Sequence, residues 1–100
     1  RSQGEFSGET VRAAQVGHIP SSINVDWNLN LHDDGTFKHN SDLSKLYDMP
    51  KNAEIVTYCQ GAYRAANSFL ALKRLGFENV RVYLGSWGEW GNRLDLHVEQ

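Results

Sequence analysis

The sequence holds one cysteine, one methionine and two prolines, and no long apolar run. A lone cysteine excludes an intrachain disulfide, so the fold must rest on its apolar core, and the chain suits a reducing compartment, the cytoplasm first. No stretch approaches the ~20 apolar residues that a membrane-spanning helix needs, and the mean hydropathy is negative, so a soluble chain is expected. Excess charge of either sign is also lacking. Ten Lys and Arg against twelve Asp and Glu give a formal net charge of -2, with the cations dispersed. Neither nucleic acid nor an anionic membrane is an expected partner. His18, His32, His39 and His97 lack the spacing and the cysteine or carboxylate company of a metal site, so no metal is expected; His18 suits a structural hydrogen bond and the others an exposed surface. Repeats, low-complexity tracts and a targeting peptide are all missing. The chain opens on Arg1-Ser2-Gln3-Gly4 with neither Met nor an apolar strand, which suggests part of a longer polypeptide.

What is present is 40% hydrophobic and 11% aromatic residues over 100 positions, enough for one compact domain and too little for two. Residues 1–22, with Gly4, Gly8, Gly17 and Pro20, read as loop with a short helix near 9–15. Residues 23–27 (Ile-Asn-Val-Asp-Trp) alternate apolar and polar as a strand buried on one face does, and 28–40 read as a polar surface loop. Ser41 suits the N-cap of a helix whose Leu43, Leu46 and Tyr47 share a face and which Pro50 ends. Residues 54–58 are short and β-branched, as in a central strand covered on both faces. From 63 to 75, Ala65, Ala66, Phe69, Leu70, Leu72 and Leu75 have helical spacing, with Lys73 and Arg74 near the negative end and Gly76 beyond as a C-cap. Residues 80–84 form a second strand closed by Gly85. Ser86 and Glu89 have capping-box spacing for a helix over 87–91. Strand, helix and strand with short links imply a parallel sheet, so the class is α/β.

The chemical centre is Tyr58-Cys59-Gln60-Gly61-Ala62-Tyr63-Arg64, where a buried strand ends and a helix is about to begin. Successive amides in such a turn converge on one point, and a helix N-terminus adds roughly half a positive charge. An ordinary thiol of pKa ~8.5 is only about 3% thiolate at neutral pH; lowering it by ~2 units, worth ~2.7 kcal/mol, makes it mostly thiolate. The bland alternative is a small buried hydrophobe. Gly61, which permits tight backbone curvature, and Arg64, an awkward cation in a first helical turn, favour the reactive reading. Arg64 also suits a solvated position.

Cys59 and Arg64, with four residues between them at a strand-to-helix turn, resemble the active-site loop of the rhodanese superfamily. Gly17-His18-Ile19-Pro20-Ser21-Ser22-Ile23-Asn24-Val25 is similar to the family's Gly-His-Ile-Pro-Gly-Ala-x-Asn-Val, with Ser21-Ser22 in place of Gly-Ala. Gly85-Ser86-Trp87-Gly88-Glu89-Trp90 resembles Gly-Ser-Trp-x-Glu-Trp of thiosulfate and 3-mercaptopyruvate sulfurtransferases, although Leu84 stands where an Asp often precedes it. Arg1 to Phe6 is similar to the Asp-x-Arg-x-x-x-Glu-Tyr/Phe segment after the family's first strand. The resemblance implies a three-layer domain with a central parallel sheet flanked by helices, over residues 1–100. It places the first strand before Arg1, outside this sequence. It further implies the catalytic C-terminal half of a tandem enzyme, with a second rhodanese domain in the same polypeptide.

By the same resemblance, Cys59 takes a sulfane sulfur from a small anionic donor, thiosulfate or 3-mercaptopyruvate, and passes it to cyanide or a thiol, with no cofactor beyond the covalent persulfide. The amides of Gln60, Gly61, Ala62, Tyr63 and Arg64 are expected to stabilise that persulfide. Arg1 and Arg12 are candidates for orienting the donor, or are ordinary surface arginines. Trp87 and Trp90 either wall the active-site pocket or pack in the core. Two rivals stay open: a non-catalytic docking module, and a phosphatase or arsenate reductase. The related phosphatases have five residues between Cys and Arg, which widens the loop to hold a tetrahedral oxyanion.

Overall fold

The computed structural model describes residues 1–100. In chain order it contains α1 (Gln3–Ser7), a 3-10 turn (Trp27–Asn30), α2 (Asn40–Leu46), β1 (Ile55–Thr57), α3 (Tyr63–Arg74), β2 (Val80–Val82) and α4 (Ser86–Trp90). β1 and β2 pair in parallel, Ile55 with Val80, Val56 with Arg81 and Thr57 with Val82, and α3 crosses between them. The expected helix over 63–75 and strand over 80–84 are both present. α3 closes at Gly76, which adopts φ 93°, the left-handed conformation that spares a glycine the Cβ clash.

The core joins α2, α3 and β2. Leu43 and Tyr47 of the α2 side meet Ala71, Leu72, Phe77 and Val80, with Ile55, Phe69 and Leu75 packed around them. On α3 the inward face runs through Ala65, Ser68, Phe69 and Leu72. Ala66 and Leu70, counted with the apolar face from sequence, lie a third of a turn away and are exposed.

Several expectations fail for identifiable reasons. The first helix is residues 3–7, not 9–15, because Ser2 and Glu5 form a reciprocal capping box and Gly8, at φ 96°, ends the turn. Residues 23–26 form no strand: none of their backbone groups pairs with another strand, and a strand exists only through such pairing. Trp27 instead opens the 3-10 turn, which Asp26 caps by accepting the Asn28 N–H at 3.0 Å. The polar stretch after it is not wholly surface. Asn30 is fully buried, accepting from the Tyr47 hydroxyl at 2.6 Å and donating to Asn67 at 3.0 Å, which ties the turn to α2 and α3. α2 begins before Ser41, since its first turn closes on the His39 carbonyl, to which Asp42 and Leu43 donate; it ends ahead of Pro50. β1 is covered on one face only, and Val56 is 60% exposed on the other. Ser86 caps nothing: Gly85 precedes α4, and the Ser86 hydroxyl is engaged elsewhere.

Candidate active site

Cys59 lies two residues beyond β1, and α3 starts at Tyr63, so the connecting loop must reverse within a few residues. The left-handed residue that makes the reversal is Ala62, at φ 76°, and not Gly61. For an alanine this conformation costs about 1–2 kcal/mol, which the surrounding contacts must offset. Its effect is to turn consecutive amides toward one side, as in an anion-binding nest.

The loop backbone is pinned from α4. The Cys59 N–H donates to Ser86 Oγ at 3.2 Å, the Cys59 carbonyl accepts from the Trp87 N–H at 2.8 Å, and the Gln60 carbonyl accepts from the Gly88 N–H at 2.9 Å. Ser86 is itself fully buried, at φ 53°, and donates to the Tyr83 carbonyl at 2.8 Å. A side chain at Gly88 would put its Cβ 3.0 Å from the Gln60 carbonyl oxygen, a tight contact that the loop would have to relieve by a few tenths of an ångström. The Gly-Ser-Trp-Gly run thus acts on the cysteine loop through main-chain hydrogen bonds and one hydroxyl.

The thiol is free and only 2% exposed. Burial pushes the Cys59 thiol up, but the amides of Ala65, Gly61, Arg64 and Ala62 favour the thiolate more, and the net position lies below that of an ordinary thiol. These four include the amides of Gly61, Ala62 and Arg64 expected around the sulfur, and Ala65 takes a place that the sequence did not indicate. The Tyr63 side chain is 90% exposed. Gln60 donates through Nε2 to the Arg12 carbonyl at 3.3 Å, away from the sulfur.

Arg64 reaches back across the sequence to Glu5. Its Nη1 and Nη2 donate to Glu5 Oε1 and Oε2 at 2.8 and 3.0 Å, a two-pronged ion pair, and its guanidinium also favours negative charge on Cys59. Glu5 is 1% exposed, accepts from the Ser2 N–H at 2.9 Å and has Arg12 Nε at 3.5 Å. Arg64 above all, with Ser2 assisting against the cost of burial, holds the Glu5 carboxyl well below the usual carboxylate range.

Arg1 is no surface arginine. It is buried, donates to the Gly17 and Glu5 carbonyls at 2.7 and 3.2 Å, and stacks its guanidinium 4.7 Å from the Trp87 ring centre. Arg12 is 57% exposed, with Glu5 as its ion-pair partner. A hollow of about 410 Å³ opens beside Cys59 and Arg64, between the extended segment around Ile23 and the free edge of β1. Trp87 and Trp90 do not border it, which leaves packing of the two readings: Trp87 is buried under Arg1, while Trp90 donates from Nε1 to the His97 carbonyl at 2.9 Å and meets Tyr83 edge-on. His18 has Nδ1 2.8 Å from the Phe6 carbonyl and stacks on the Phe6 ring. No group of three metal-ligating side chains comes together.

Glu5, Ser86 and Gly88 were not singled out from sequence as site residues. Ser2 and Glu5 carry the spacing of a capping box, and Glu5 is the Glu of the Asp-x-Arg-x-x-x-Glu-Tyr/Phe segment, but neither signal pointed to Arg64.

The rhodanese-like domain family matches residues 1–93. The chain belongs to the rhodanese-like family. Among its curated relatives it is 38% identical over 102 residues to a thiosulfate sulfurtransferase of Azotobacter vinelandii, covering 99% of this chain and 38% of the relative. It is 40% identical over 109 residues to one of Corynebacterium glutamicum, covering 99% of this chain and 36% of the relative. The chain therefore spans less than two-fifths of the length of these relatives. A solved structure of an EanB variant carrying a cysteine persulfide, in a tetrahedral intermediate state with ergothioneine, superposes over 100% of this chain and 27% of that one, with TM-score 0.89 and 21% identity. The family match and that likeness together establish the rhodanese fold, here a parallel two-stranded sheet with flanking helices. No helix is long and apolar enough to cross a membrane.

Proposed function

We propose that this rhodanese-like domain is a sulfurtransferase in which Cys59 carries the sulfur. The observation that supports this most is the placement of Cys59 in a loop pinned by Ser86, Trp87 and Gly88, bordering one hollow with Arg64, where the neighbouring amides and the Arg64 guanidinium outweigh burial and hold the thiol below its ordinary value. Such a surround favours a thiolate and, one atom further out, a persulfide anion. The Cys59 thiolate attacks the outer sulfur of thiosulfate; the new S–S bond forms as the old one breaks, and sulfite leaves with the bonding electron pair. The acceptor, cyanide or a thiolate, then attacks the outer persulfide sulfur, and Cys59 returns as thiolate. Two half-reactions through one covalent intermediate give ping-pong kinetics. The names of the relatives favour thiosulfate, and 3-mercaptopyruvate is the second donor to test.

No cofactor enters this cycle, and the redox state it needs, a reduced thiol, fits the cytoplasm. The greater length of the relatives supports reading residues 1–100 as one catalytic domain of a longer polypeptide with a second rhodanese domain. Of the two candidate cations for orienting the donor, Arg1 borders the hollow beside Cys59 with its terminal nitrogens held by carbonyls, whereas Arg12 is exposed, paired with Glu5 and outside that hollow's lining. Four residues between Cys59 and Arg64 leave less room for a tetrahedral oxyanion than the phosphatase loop has. The test is thiocyanate production from thiosulfate and cyanide, beside parallel assays with 3-mercaptopyruvate and with an aryl phosphate. Thiocyanate that disappears with Cys59→Ser is the expected result; phosphate release without thiocyanate overturns the assignment.

A further inference from the structure

We propose that Glu5 is a positioning residue of the Cys59 site: by holding both terminal nitrogens of Arg64 it fixes that guanidinium beside the sulfur and keeps the first turn of α3 closed around it. The pair joins residues 59 apart in sequence, so it ties α1 to the first turn of α3. Arg64 is the second residue of α3 and borders the same hollow as Cys59, where its amide and its guanidinium both favour negative charge on the sulfur. A side chain free to leave would take the charge with it and loosen the turn whose amides face Cys59.

Glu5 is built to hold still. Its carboxylate accepts from the Ser2 N–H, its own N–H donates to Ser2 Oγ at 3.2 Å, and its carbonyl accepts from Arg1 Nη2. Nearly complete burial and three such restraints on one residue hold the carboxylate in place, and a planar guanidinium held at two points cannot swing about one bond. The other titratable or charged groups around the pair are Arg1, through its guanidinium and its amino group, and Arg12, with Tyr58 beneath Arg1 and Cys59 itself. None of them offers Arg64 a second carboxylate.

The sign of one measurement separates positioning from simple charge. A carboxylate near a thiol opposes its ionisation, so if Glu5 acted only as a charge, Glu5→Gln would make the thiolate form more easily. If Glu5 acts through Arg64, the same change releases the guanidinium and the thiolate forms less easily. The experiment is the rate of Cys59 alkylation by iodoacetamide against pH, for the wild-type chain, Glu5→Gln and Glu5→Asp, with thermal unfolding of each alongside. The expected outcome is a midpoint raised by about one pH unit in Glu5→Gln, a roughly tenfold slower reaction below the midpoints, and a smaller rise in Glu5→Asp, which keeps the charge but withdraws it by one methylene. A lowered midpoint, or an unmoved midpoint with only a lower unfolding temperature, overturns the proposal. Should Glu5→Gln fail to fold, Glu5→Asp and Arg64→Lys carry the test: Lys keeps the charge without the two-pronged grip, and its midpoint must rise as well. The consequence for sulfur transfer rests on the sulfurtransferase reading, but alkylation needs no sulfur donor. A chain that shows the shift yet never carries sulfur would retire that reading and leave the role of Glu5 intact.

Discussion

Ser86→Ala removes one oxygen atom and should be felt at the active-site loop more than its size suggests. Ser86 Oγ receives the Cys59 N–H at 3.2 Å and donates to the Tyr83 carbonyl at 2.8 Å, in a position with no solvent exposure. The Tyr83 carbonyl keeps a second partner, the Ser86 N–H at 3.1 Å, so its loss is small. The Cys59 N–H has no such reserve and is left buried without an acceptor. Orphaning a buried donor costs about 1–3 kcal/mol, and about 2 kcal/mol is the expected value here. For a domain of this size that lowers the unfolding temperature by roughly 8–16 °C. Ser44 is a matched control, because its hydroxyl makes one exposed bond to the Ser41 carbonyl at 3.0 Å; Ser44→Ala should stay within about 0.5 kcal/mol of the wild type. Urea unfolding of the three proteins measures the difference. A Ser86→Ala chain as stable as the Ser44→Ala control would refute the claim that α4 holds the cysteine loop through this hydroxyl.

Two further outcomes follow from buried polar groups. Asn30→Ala leaves the Tyr47 hydroxyl without its acceptor and empties a site that also serves Asn67 and Ser68, so a loss of about 2–3 kcal/mol is expected in the same urea experiment; a loss under ~0.5 kcal/mol contradicts the fastening role of Asn30. Glu5 governs acid stability. Its carboxyl is held below the ordinary value by Arg64 first and Ser2 second, so the stabilisation is complete above the unfolded-state pKa of about 4.3 and is lost as pH falls from there through the lower folded-state value. Stability between pH 5 and 2, followed by urea midpoints, should fall less steeply in Glu5→Gln than in the wild type; parallel slopes would contradict the assignment.

Sequence pattern exposed the parts of this fold that are local. α3 and β2 could be read because apolar spacing, terminal cations and a closing glycine agree with one another there, and the chemical centre because it lies on the short path from β1 to α3. What escaped depended on distant partners. Residues 23–26 have the alternation of a strand, yet no neighbour pairs with them, and alternation cannot report that. Asn30 sat in a polar stretch that reads as surface, and only the Tyr47 hydroxyl and α3 make its burial possible. Arg64 stood out as a misfit in a first helical turn, and the reason lies 59 residues upstream in Glu5. Ser86 had a capping spacing that suggested a helix start, while its hydroxyl turned instead to the Cys59 amide. Gly61 attracted the expectation of tight backbone curvature, while the left-handed residue of the loop is Ala62.

The most direct test is the intact mass of the chain after exposure to thiosulfate and removal of excess reagent. The wild type should gain the mass of one sulfur atom, located by peptide mapping to Cys59 and released as thiocyanate by cyanide, while Cys59→Ser gains nothing. A wild-type chain that stays unmodified although Cys59 alkylates readily, or one whose added sulfur survives the Cys59→Ser change, would contradict the account.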